Sequence, residues 1–326
     1  MLEKNPPIII CDCDHKDVDM ERSVLTAAGL ETKWLHCMTQ DEVIEQCQGA
    51  VCLINQYVHM DAKIFEGIPT LKMIARYGVG VDNINLADAD RYGVQVCNVP
   101  DYGTREVADQ ALALMMNITR KVRMMGNRTC KGDWNYAEAI PIRRLSDQTV
   151  GILGLGRIGT AFAERVRPLG CRIIGFDPRH GQPGYKFPDF IEFKDTMDEV
   201  LAEANILSVH SSLDETNRHM MNAEAFSKMK DGSYFINVSR GGLVDEDALA
   251  DALASGKLAG AGIDVVNKEP LGADSRLFGF ENAVVTPHIA WYSEEAAREL
   301  KRKVAEEAVR FYRGEAVHYP INHPKA

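Results

Sequence analysis

The sequence predicts an α/β protein built from two doubly wound parallel-sheet domains. Three observations predict it. The 326 residues exceed what one hydrophobic core normally serves. Short β-rich runs alternate with helical patterns almost throughout, as in parallel sheets covered by helices. A long amphipathic stretch then divides those runs into two series.

The first series is 8–11, 33–36, 50–55, 72–76 and 94–98. The second is 149–153, 172–176, 206–210, 234–238, 261–265 and 283–286. Between them, Ala108, Ala111, Met115, Ile118 and Val122 recur at helical spacing and predict one helix over 105–124. Another is predicted over 294–312 from Ala297, Leu300, Val304, Ala308 and Phe311, with Ser293 as N-cap and Gly314 as C-cap. Chain economy brings the segment after the last strand back to the first domain. The expected division is therefore a discontinuous domain of 1–98 with 290–326, and a continuous one of 99–289.

A net charge of -10 argues against a nucleic-acid-binding body, which needs a basic stripe. No apolar run approaches the roughly 20 residues that span a bilayer, and the opening Met1–Pro7 lacks the layout of a signal peptide. Eight cysteines without paired spacing read as buried free thiols, so a cytoplasmic location is expected. Cys11-Asp12-Cys13-Asp14-His15 superficially suggests a metal site, but it has no second ligand cluster, and no metal is expected.

The most specific local pattern begins at Thr149. A buried-strand run leads into Gly154-Leu155-Gly156-Arg157-Ile158-Gly159, then a helix, a second strand and Asp177 at its end. The first glycine makes the tight turn, the second lets backbone approach a pyrophosphate, and the third allows close helix–strand packing. Phosphates then sit on the helix N-terminus. Strand, motif, helix, strand and acid in this order make a Rossmann dinucleotide-binding unit. Asp177 suits a ribose 2′-OH and repels a 2′-phosphate, which points to NAD. Arg179, two residues on, is the side chain that serves a 2′-phosphate and points the other way.

In doubly wound sheets ligands lie beyond the carboxyl ends of the strands. The residues there include His210, Ser211, Arg240, Asp264 and His288 in the second series. In the first they include Asn55, Tyr77, Val79, Gly80 and Tyr102. Reduction of a 2-oxo acid needs a cation for the carboxylate and an acid for the carbonyl oxygen. Arg240 supplies a planar fork, and His288 paired with a carboxylate such as Glu269 supplies the proton. His210 fits a cofactor-flanking or packing role, and Trp291 either hinge packing or an aromatic wall for the substrate.

Several stretches together resemble the D-isomer-specific 2-hydroxyacid dehydrogenases. They are Arg76–Ile84, Glu106–Asp109, Gly154–Gly159, Asn237–Asp245, Gly262–Val265 and Thr286–Ala290. The resemblance implies a flavodoxin-like substrate domain beside the Rossmann domain, and a homodimer built largely on the nucleotide domains. It implies that Arg240 binds the substrate carboxylate, that His288 is the acid/base paired with Glu269, and that Asp264 contacts the nicotinamide amide. Val79 and Gly80 look like a backbone carboxylate cradle. The cofactor contacts then comprise Val79, Thr104, Gly154, Gly156, Arg157, Ile158, Gly159, Asp177, His210, Ser211, Thr216, Val238, Arg240, Asp264 and His288. Asn55, Tyr77, Tyr102 and Trp291 join Val79, Gly80 and Arg240 at the substrate. His288–Glu294 is most similar to the C-terminal-binding-protein branch, which places Trp291 against the substrate side chain. Two functions stay open: reduction of a small 2-oxo acid, either hydroxypyruvate- or glyoxylate-like or bulkier, and an NADH-sensing binding protein. Glu269 disfavours formate, whose oxidisers in this family carry Gln there.

Overall fold

The computed structural model describes residues 7–324; the opening stretch Met1–Pro6, read above for a signal, lies outside them. The chain divides into two compact units, residues 1–103 with 293–326 and residues 104–292. The dividing points fall three to five residues later than the sequence suggested. Val99 N–H donates to Gly78 O, keeping 99–103 with the first unit. Ile289 and Ala290 donate their N–H groups to the Asp264 carboxylate, keeping them with the second.

The first unit carries a five-stranded parallel sheet: β1 (Ile8–Ile10), β2 (Thr32–Trp34), β3 (Cys52–Asn55), β4 (Met73–Arg76) and β5 (Gln95–Cys97). Its order, β2-β1-β3-β4-β5, is the flavodoxin-like one. β1 and β3 are buried along their whole length, as sheet strands covered on both faces must be. Helix Glu294–Tyr312 packs on helix Asp19–Ala27 and on β3 and β4. Ser293 Oγ caps it by accepting from Ala296 N–H at 2.9 Å. Beyond it, Asn98 N–H bonds Tyr319 O and Val96 N–H bonds Asn322 Oδ1, which fastens the tail to β5.

The second unit carries seven parallel strands: β6 (Thr149–Leu153), β7 (Arg172–Phe176), β8 (Glu192–Phe193), β9 (Ile206–Val209), β10 (Ser233–Asn237), β11 (Leu258–Ile263) and β12 (Ala283–Val285). The order β12-β11-β10-β9-β6-β7-β8 reverses direction at β6, so the switch point lies between β6 and β9. β8 escaped the sequence reading because two residues are too few for any periodicity. The helix expected over 105–124 is also broken. Thr104–Arg120 ends at Lys121, whose φ is 54°, and a separate helix Val122–Cys130 follows. The apolar spacing ran on through Val122, but that side chain is exposed. The Arg123 guanidinium instead turns to the carbonyls of Phe280, Glu281 and Ala283. Seven of the eight cysteines are buried and Cys130 is exposed.

Candidate active site

β6 is buried at every residue and delivers the glycine loop to the switch point. Gly154 has φ 88°, and a Cβ there would meet His210 C and Ser211 N at 2.8 Å. A Cβ on Gly159 would collide with Gly154 O, the close helix–strand approach the motif implies. Gly156 is different, since its Cβ position meets nothing nearer than Arg179 Nη2 at 3.7 Å. The helix Arg157–Val166 therefore starts from a residue with no capping side chain and an open face. Its unfilled N–H groups suit a pyrophosphate. Crowding on two glycines and openness on the third fit NAD.

Asp177 ends β7 and is 3% exposed. Its Oδ2 accepts from Leu155 N–H at 2.8 Å, which ties the acid to the glycine loop. Arg179 adds its own N–H and two guanidinium bonds, at 2.8 and 2.6 Å. Burial alone would raise the carboxyl; Arg179 and the two N–H groups outweigh it and hold Asp177 below the usual carboxylate range.

His210 lies beneath the loop, its ring 5.1 Å from that of Phe162 and its Nε2 2.9 Å from Ser208 Oγ. Nδ1 is buried and has no partner among the described residues. Burial pushes the imidazole down to about 3, so it is a neutral packing ring. The sign of the pH effect follows. The unfolded imidazole titrates near 6.5, so the stability it contributes is complete above that pH and is lost as the pH falls. Between pH 7 and 5, urea unfolding without added nucleotide is expected to lose about 1–2 kcal/mol more in the wild type than in His210→Gln. Equal losses would mean that His210 carries its charge in the fold.

The remaining groups gather at the ends of β10, β11 and β12. Asp264, 1% exposed, follows β11 and organises the 286–290 loop. Its Oδ1 accepts from Thr286 Oγ1 and Ile289 N–H, its Oδ2 from Ala290 N–H, and its carbonyl from His288 N–H. These bonds hold His288 at φ 54°, a left-handed conformation that few non-glycine residues adopt. His288 Nδ1 lies 2.7 Å from Glu269 Oε2, with the side chains 40% and 37% exposed. Nδ1–H donates to the carboxylate, which leaves Nε2 for chemistry. Glu269 also accepts from Val266 N–H at 3.3 Å. Burial would raise this carboxyl, but His288, Val266 and the charge of Arg240 outweigh it and keep it ionised.

Arg240 follows β10, where Asn237 shapes the turn by donating Nδ2–H to Arg240 O and accepting from Ser239 N–H. Gly241 must follow, because a Cβ there would enter the Val266 backbone. Val238 is buried, Ser211 Oγ donates to Leu153 O, and Thr216 Oγ1 turns to Asp214. Trp291 packs, partly buried, against the core that Ile152, Phe162 and Val238 share, 5.4 Å from the Tyr292 ring. The second unit thus assembles Arg240, Glu269 and His288 on adjacent strand ends of one sheet.

In the first unit the candidates separate. Val79 is exposed, and among the described residues no hydrogen bond uses the N–H of Val79 or Gly80. Asn55 and Tyr77, expected at the substrate, are 0% and 1% exposed. Asn55 bonds Asp12, Val58 and Asn83, while Tyr77 donates its hydroxyl to Glu21 at 2.6 Å. Their polar groups are engaged within the first unit. Tyr102 is also largely buried. The residue missed is Asp12. Its carboxylate gathers the N–H groups of Gln56, Tyr57 and Val58 and so sets the loop after β3. It stands just beyond β1, at the edge where a parallel sheet presents its polar groups.

A glycine-loop site whose sheet also presents a carboxylate-backed imidazole and an arginine defines the class of NAD-dependent oxidoreductases acting on CH–OH groups. Residues 112–290 match the family described as D-isomer specific 2-hydroxyacid dehydrogenase, NAD binding domain. The chain belongs to this family. It is 34% identical over 302 residues to a D-3-phosphoglycerate dehydrogenase of Archaeoglobus fulgidus, covering 91% of this chain but 56% of that longer protein. It is 36% identical to a glyoxylate reductase of Korarchaeum cryptofilum, over 84% of this chain and 82% of the relative. A glycerate dehydrogenase of Methylorubrum extorquens is 32% identical, over 92% and 96%. Among solved structures, the D-lactate dehydrogenase of Aquifex aeolicus complexed with NAD and lactic acid superposes with a TM-score of 0.88 at 25% identity, covering 98% of this chain and all of that one.

Proposed function

We propose that the protein reduces a small 2-oxo acid to the D-2-hydroxy acid. The observation that carries this reading is the His288–Glu269 bond, with Arg240 at a neighbouring strand end of the same sheet. Bound NADH supplies the hydride. Arg240 takes the substrate carboxylate on its planar fork and polarises the adjacent carbonyl. His288 Nε2 then donates a proton to the carbonyl oxygen. Glu269 stays ionised throughout and fixes the tautomer and orientation of the imidazole. Asp264, with its other acceptor positions taken by the 286–290 loop, keeps one on Oδ2 for a carboxamide N–H. Within the first unit, the Val79 and Gly80 N–H groups are donors of the kind that binds an anion.

Glyoxylate- or hydroxypyruvate-like substrates are the first choice, in keeping with the names of the glyoxylate reductase and glycerate dehydrogenase relatives. The likeness of His288–Glu294 to the C-terminal-binding-protein branch supports Trp291 as a wall for a bulkier side chain. An NADH panel of glyoxylate, hydroxypyruvate, pyruvate and aromatic 2-oxo acids tests the reading by loss of reduced-nicotinamide absorbance. Turnover should appear with at least one acid. No turnover with any, together with a dinucleotide-dependent protein partner, would reverse it in favour of the sensing role.

A homodimer through the second unit is part of the same proposal. Val122, Trp134, Tyr136 and Ile140 are all exposed in one stretch of that unit, with Trp134 at 90%. Exposed apolar side chains in this stretch support an association surface there. Sedimentation velocity is expected to give twice the 36.2 kDa chain mass, and a monomer at micromolar concentration would overturn it.

A further inference from the structure

The adenosine end of the site contains an arrangement that the NAD reading alone does not explain. Asp177 is the acid that would accept ribose hydroxyls, yet Arg179 already sits on it. Oδ1 accepts Arg179 N–H and Nε–H, and Oδ2 accepts Leu155 N–H and Arg179 Nη2–H. A carboxylate has about four acceptor positions, so all are engaged. The Asp177 side chain is 1% exposed and fixed by the glycine loop, whereas that of Arg179 is 39% exposed. Arg179 is therefore the movable partner. Its guanidinium lies 5.2 Å from the centre of the Tyr185 ring, and Nη2 overlooks the open face of Gly156.

We propose that Arg179 is a cofactor-selecting residue that lets the protein bind NADPH as well as NADH. The inference rests on the dinucleotide reading of the site. A bare aspartate here would reject a 2′-phosphate by like-charge repulsion. The Asp177–Arg179 pair has no net charge, so that repulsion is largely cancelled. NADH gains its ribose bonds only by displacing at least one guanidinium bond from Asp177. NADPH draws the guanidinium onto its 2′-phosphate, a planar bidentate match, while Tyr185 offers a ring face for the displaced group. Attraction at contact distance exceeds the repulsion from the more distant Asp177, because Coulomb energy falls as 1/r. Neither cofactor is strongly favoured. The Arg179 pair thus turns an NAD-type acid into a shallow discriminator.

Calorimetric titration with NADH and NADPH, without substrate, tests this independently of turnover. Wild-type dissociation constants are expected within about tenfold of each other, a difference of about 1.4 kcal/mol. In Arg179→Ala the NADPH-to-NADH ratio of dissociation constants should rise by about tenfold or more, as expected for loss of a charge-assisted pair. In Asp177→Asn it should fall, because the repulsive charge is gone and the guanidinium is released. A ratio unmoved by Arg179→Ala, or no NADPH binding to the wild type alongside clear NADH binding, overturns the inference. If neither dinucleotide bound, the cofactor reading beneath it would fall as well.

Discussion

Replacing His288 with asparagine is expected to lower kcat by about 10²- to 10⁴-fold, the usual contribution of a positioned general acid, while NADH binding persists. Asparagine is the informative choice because of the backbone. His288 has φ 54°, and among side chains that lack proton-transfer chemistry asparagine tolerates the left-handed region best. Alanine would mix lost chemistry with backbone strain, which can cost about 1–3 kcal/mol. Steady-state kinetics, with NADH affinity measured separately by fluorescence, make the check. Equal loss of turnover and binding would show that His288 acts by holding the 286–290 loop together.

Arg240→Lys should reduce kcat/KM by roughly 10²-fold or more, through both a higher KM and a lower kcat. Lysine keeps the charge but loses the planar fork, so one of two parallel bonds to the carboxylate disappears. A charge-assisted bond is worth about 1.5–3 kcal/mol, and the same fork is assigned to polarising the carbonyl. The larger part of the loss should therefore appear in kcat, as it does for an interaction that strengthens in the transition state. The comparison uses whichever 2-oxo acid proves most active. A lysine variant within a few-fold of the wild type would mean that charge alone, and no bidentate geometry, serves the site.

What the sequence made legible, and what it hid, follows from the physics of each position. Strand-end residues such as Asp264 and His288 were readable because parallel sheets send their polar groups to one edge. The glycine loop was readable because backbone crowding leaves no alternative residue at Gly154 or Gly159. Asn55 and Tyr77 stand at strand ends too, yet they turn inward. Periodicity places a residue along an element but does not say whether Asp12 or Glu21 will claim its polar group. The break at Lys121 was hidden for a similar reason. The apolar spacing continued, while the deciding bonds from Arg123 run to residues about 160 positions away. Arg179 was visible only as a conflicting sign beside Asp177; the bidentate pairing gives it a definite part.

The Asp264 anchor has a consequence for how such a chain can change. Arg240, Glu269 and His288 all issue from one sheet, and the backbone that carries His288 is held by Asp264, buried at the end of β11 in that same sheet. The groups proposed for proton handling therefore share one folding unit. The loop that Asp12 sets belongs to the other unit, so changes there leave the bonds of Asp264, Glu269 and His288 intact.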